Sequence, residues 1–134
     1  MKTCTCGIDI IDHPASRCLD DLVAEKVLGF IKVPFPGVPK FQKPTVDGVV
    51  PLFFTPNYSS YISDAWEVAE RMRELDQYIC PQIYWDDNDG LEPGYWVAEF
   101  NRYAKKTSDY RHYEAVAETA PLAICRAALL MVNE

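Results

Sequence analysis

The chain reads as one small α/β domain, in the α+β sense of helices set against a small, mainly antiparallel sheet. Three observations predict this. Apolar residues recur at three- and four-residue spacing in three separated segments, opening near residues 16, 60 and 119. Two strand-like runs, 77–85 and 94–103, flank the turn-rich Asp86-Asp87-Asn88-Asp89-Gly90, the pattern of an antiparallel hairpin. A length of 134 residues, with 49% hydrophobic and 25% charged side chains, suits a single ordinary core.

Residues 1–15 carry no clear period and read as an arm, ordered only if something holds it; residues 16–134 form the domain. Ser16 can cap a first helix in which Leu19, Leu22, Val23 and Val27 share a face, with Asp20, Asp21 and Glu25 near its positive end and Gly29 as its stop. Six of the ten prolines (34, 36, 39, 44, 51 and 56) fall between about 33 and 58. They predict a long loop, with at most a short edge strand near 49–54, because proline withholds the backbone donor a central strand needs. Long loops often carry binding or contact residues. Ser60 opens a second, amphipathic helix with Ile62, Ala65, Trp66, Ala69 and Met72 along one face. After the hairpin and a turn near 105–109, a third strand covers about 110–116. Thr119 and Pro121 then open a last helix whose single charge up to Val132 is Arg126. A helix apolar nearly all round has to be covered on more than one side, by a second helix or by another copy of the chain, which makes a homo-oligomer the expectation.

Composition narrows the function classes. The formal net charge is -7 and the thirteen Lys and Arg are scattered, so no footprint for duplex nucleic acid is present. No apolar run approaches the roughly 20 residues of a membrane-spanning helix. Five cysteines, an odd number with three in the first eighteen residues, fit reduced thiols in a cytoplasm better than a disulfide framework.

Three stretches carry a resemblance: Leu19-Asp20-Asp21-Leu22-Val23-Ala24-Glu25-Lys26-Val27-Leu28-Gly29, Tyr58-Ser59-Ser60 leading into Ala65-Trp66-Glu67-Val68, and Thr119-Ala120-Pro121-Leu122-Ala123-Ile124-Cys125-Arg126-Ala127-Ala128-Leu129. Together the chain resembles the phage ABA sandwich domain family over roughly residues 19–132, the closing motif being the most specific. The resemblance implies a three-layer α-β-α sandwich and a phage origin, hence the cytoplasm of an infected bacterium. It brings no catalytic residues to carry over.

Candidate chemistry is sparse. Cys4-x-Cys6 with His13 and Cys18 has zinc-ligand residue types, but a two-residue gap between paired cysteines is the usual knuckle, so incidental thiols and no metal are the reading. Residues 86–92 fail as a calcium loop, since aligning Gly90 with the invariant glycine puts Trp85 and Trp96 at the ligand ends. Neither His13 nor His112 sits in a nucleophile motif, Glu99 with Glu114 is a pairing easily met by chance among twenty acidic residues, and no phosphate-cradling glycine loop occurs. No enzyme and no cofactor are expected.

Another constellation carries the functional expectation. Aromatic rings stack on bases and arginine forks match phosphate oxygens, and Tyr95, Arg102, Tyr103 and Arg111 are less easily explained by the core than Trp96 and Phe100; Tyr58, at the end of the proline-rich loop, joins them. These five are the candidate ligand site of a non-enzymatic protein that sequesters a small nucleotide-like ligand, such as a host immune signalling nucleotide. The alternative is a protein-interaction module using the proline-rich segment with Tyr58 and Tyr61 against a phage or host protein. Arg102 and Arg111 discriminate: convergence on a concave site with a ring nearby favours anion capture.

Overall fold

The structure, a computed structural model, describes residues 3–4, 6–33, 40–90 and 93–133. Its helices are α1 (Arg17–Lys26), α2 (Ile62–Leu75) and α3 (Ala120–Val132), preceded by a 3-10 turn at Ile10–Asp12. Its strands are β1 (Ile31–Lys32), β2 (Phe41–Thr45), β3 (Gly48–Leu52), β4 (Ile79–Asp86), β5 (Tyr95–Ala104) and β6 (Asp109–Ala117). They form two antiparallel sheets, in the orders β1-β2-β3 and β4-β5-β6.

The α+β sandwich is built around α3. Thr119 caps it, its hydroxyl accepting the Leu122 amide hydrogen at 3.4 Å, and Pro121 stands where a missing donor costs nothing. Residues 120–125 and 127–129 are buried. One side of α3 lies on β5 and β6, while α2, α1 and the 3-10 turn pack on the remainder. Helices of the same chain therefore meet most of the apolar surface of α3. The β5 alternation puts Trp96, Ala98 and Phe100 on the inner face, paired across the sheet with Ile83, Pro81, Ala115 and Tyr113; Ala98 and Phe100 are fully buried. The opposite face is left open, and Tyr84, Tyr103, Tyr110 and Val116 are exposed there.

Two predicted features change. Ser60 does not cap α2: the first helical residue follows Tyr61, and the Asp64 carboxylate instead accepts the Asn57 amide hydrogen at 2.9 Å. The segment expected to be loop with at most a short edge strand near 49–54 holds two strands, β2 and β3, the second overlapping that edge strand, although Pro34, Pro36 and Pro39 lie outside the described residues. Pro44 and Pro51 are accommodated by register. With Thr45 and Gly48 closing the hairpin, the pairs Pro44↔Val49 and Gln42↔Pro51 fall on the ladder's non-bonded positions, where neither proline's donor is required. Pro51 also blunts the outer edge of β3.

The arm is held rather than loose. Ile10 and His13 are buried, and the Arg126 guanidinium of α3 donates to the His13 carbonyl from Nε (3.0 Å) and Nη2 (2.7 Å).

Candidate functional site

The five residues expected to bind a ligand are distributed over three environments. Tyr58 is fully buried, with no hydrogen-bond partner for its hydroxyl among the described residues, and burial raises the phenol far above its ordinary value. Tyr95 and Tyr103 share the open face of the β4-β5-β6 sheet but stand at opposite ends of β5, eight residues or about 27 Å apart at about 3.4 Å per residue. Arg102 points to the other face. The same period of two that buries Phe100 sends Arg102 inward, opposite Arg111 in register.

Arg102 and Arg111 do come together, but around carboxylates. Arg102 donates from Nε to Asp76 and from Nη1 to Asp109, both at 2.5 Å, and its guanidinium lies 5.6 Å from the centre of the Tyr78 ring. Arg111 Nε lies 3.5 Å from the other oxygen of Asp109. The Tyr78 amide, then the Arg102 guanidinium, hold the Asp76 carboxyl below its ordinary value, so this carboxylate stays charged beside the arginine. The pair's positive charge is thus matched locally. A groove of about 550 Å³ between β2 and α2 is also a poor phosphate site: Glu67, Glu70 and Glu74 line it against Lys43 and Arg71.

Elsewhere on the open sheet face Glu99 and Glu114 stand directly opposite each other, with His112 beside them; Tyr84 donates to Glu99 at 3.1 Å, and His112 meets Asn101 and, at 3.2 Å, Glu114. His112 and Glu114 are exposed and Glu99 is half-buried.

The most exposed apolar side chains belong to the β2-β3 ribbon and the residues after it. Of β2 and β3 only Phe41 is buried. Val46 at the tip, Val49, Val50, Phe53 (61% exposed) and Phe54 (81%) project into solvent. The run from Val49 to Phe54 is as apolar as a covered strand, so its composition alone does not mark these side chains as exposed.

Four side chains of the arm and α1 converge. Cys4 Sγ lies 3.3 Å from Cys18 Sγ, Cys6 Sγ lies 3.1 Å from His13 Nε2, and all four ligand-type atoms are within 4.8 Å of one another. The bond to Cys4, then burial, push the Cys18 thiol up to about 12, as crowding of sulfurs requires when all are protonated. Sequence spacing hid this cluster: a tight turn, in which Gly7 N–H donates to the Cys4 carbonyl, and the 3-10 turn fold residues 4–18 back on themselves.

Three helices on a small antiparallel sheet, buried about one alanine-rich helix, define the class as an α+β sandwich domain. The phage ABA sandwich domain model matches residues 21–129, and the chain belongs to that family. No curated protein and no solved structure matches it. The stretches that carried the resemblance have structural duties: Asp20 of the first is buried and accepts the Ser59 amide (2.7 Å) and hydroxyl (2.6 Å) hydrogens of the second, and Tyr58 and the third stretch form core.

Proposed function

We propose that this phage protein is a non-enzymatic interaction module that engages a protein partner in the bacterial cytoplasm through the β2-β3 ribbon and the adjoining Phe53 and Phe54. One observation carries the reading: a two-stranded ribbon with valines at its tip and two phenylalanines at its base, exposed on both faces. Such a ribbon contributes little to its own fold and exposes apolar surface that a partner's burial would repay. Pro51 stands against simple edge-to-edge pairing, so side chains rather than an added strand make the contact. No helix among the described residues is long and apolar enough to cross a membrane. The arginines that nucleotide capture would employ are engaged by Asp76 and Asp109, which favours the protein partner over the anion.

A photo-cross-linking residue at Phe54, with one at Lys105 as the distant control, tests this in infected cells. The expected result is a single adduct species from position 54. The captured protein, once identified and purified, binds the native chain at least about tenfold more tightly than a Phe53→Ser, Phe54→Ser variant, which melts as the native chain does because both side chains are exposed. Absence of an adduct at 54, or equal affinity for the variant, removes the reading. Saturable thermal stabilisation by a nucleotide, lost in Arg102→Ala, would put ligand capture in its place.

A further inference from the structure

The geometry points to a structural zinc site formed by Cys4, Cys6, His13 and Cys18, three thiolates and one imidazole. These are the ligand types of a closed tetrahedral Cys3His centre. With bonds of about 2.0–2.3 Å, tetrahedral zinc places its ligand atoms about 3.5–3.8 Å from one another. The separations here, 3.3 Å for Cys4 to Cys18, 3.1 Å for Cys6 to His13 and none above 4.8 Å, surround that range, so shifts of an ångström or less close the site.

The histidine is already oriented as a ligand. Its Nδ1 lies 2.8 Å from the Pro14 carbonyl oxygen, which can only accept, so Nδ1 carries a proton and Nε2, 3.1 Å from Cys6 Sγ, is the nitrogen left to face a metal. This is the outer partner that metal-binding histidines ordinarily have. His13 is buried, and Arg126 pins its carbonyl from α3, so the ring has little freedom to leave. Cys18 is the second residue of α1, so a regular helix fixes the direction of its side chain. Cys4 and Cys6 come from the turn closed by Gly7 N–H to the Cys4 carbonyl at 2.9 Å. Three separate local elements thus deliver four ligands to one point.

A disulfide is the competing use of these residues. Cys4 and Cys18 stand 3.3 Å apart, against about 2.05 Å for an S–S bond, and such a bond would leave Cys6 and His13 facing each other without a shared partner. All four ligands precede residue 21, where the family match begins, so the centre is an addition to the domain that fastens the arm to α1 and, through Arg126, to α3.

The test uses the full chain, produced in zinc-supplemented medium under reducing conditions and dialysed against metal-free buffer. Elemental analysis is expected to find one zinc per chain. Exchange for cobalt gives the intense visible absorption of tetrahedral Co(II) and a near-ultraviolet thiolate charge-transfer band. Chelation lowers the melting temperature, and zinc restores it. Cys6→Ser alters an exposed residue, so it folds by circular dichroism yet binds zinc more than about a hundredfold more weakly, beyond what loss of an outer partner alone costs. Cys80→Ser, exposed on β4, retains zinc. Zinc-free protein whose melting is unmoved by chelator, a Cys4–Cys18 disulfide under these reducing conditions, or full zinc retention in Cys6→Ser overturns the site.

Discussion

Asp20 illustrates how single residues here serve the fold. A buried carboxylate needs donors, and Ser59 supplies two, its amide and its hydroxyl, while the Ser59 hydroxyl also accepts the Ser16 amide hydrogen at 3.1 Å. Burial outweighs these bonds and raises the Asp20 carboxyl above its ordinary value of 3.8. A raised folded value contributes stability fully present below 3.8 and lost as pH rises through the folded value. Native protein should therefore gain on Asp20→Asn, in urea denaturation midpoints, as pH falls from about 7 toward 4. Asp20→Ala, which strands both Ser59 donors, should cost roughly 1–3 kcal/mol at pH 7. The residue-level readings made from sequence divide along the same line. Trp96 and Phe100 were legible as core from period two, and that period also separates Arg102 from Tyr95 and Tyr103. Tyr58 was not legible, because burial of a tyrosine in a loop depends on what packs over the loop.

Among the elements, α3 shows composition and packing agreeing. Ala123, Ala127 and Ala128 have no exposed surface, and these small side chains let α1, α2 and the sheet approach one helix from several directions. Ala127→Leu places three extra carbons where no space exists and should lower stability by roughly 1–3 kcal/mol, measured by urea unfolding. Its N-cap was legible at Thr119 and that of α1 at Ser16, whose hydroxyl accepts the Leu19 amide hydrogen at 3.2 Å. The connection between β4 and β5 is likewise local: Asp86 accepts the Asn88 amide and Asp87 that of Asp89. Gly94 follows from contact, since a Cβ there would lie 2.4 Å from the Trp85 ring and 2.6 Å from the Asp86 carbonyl oxygen. Of the β1-β2-β3 sheet only the edge strand near β3 was legible, because proline count opposes a strand, whereas register decides whether a particular proline is tolerated.

At the scale of the molecule, stability and contact surface are spatially separate. The core joins the three helices to the inner face of the β4-β5-β6 sheet, with Phe41 the one fully buried residue contributed by β2 and β3. Replacing residues 42–51 by two glycines, a turn that can span the paired Phe41 and Leu52, should change unfolding free energy by no more than about 0.5–1 kcal/mol while abolishing partner binding; calorimetry and the cross-linking assay read the two effects. The sequence by itself determined the three helices, the caps of α1 and α3, the β4-β5-β6 meander and the family, because periodicity, capping and turn chemistry act over a few residues. Only the tertiary structure decided that helices cover α3, that Arg102 and Arg111 meet aspartates, that the ribbon projects and that Cys4, Cys6, His13 and Cys18 converge. Each of these depends on which distant side chains share a small volume, a relation that spacing along a chain does not encode.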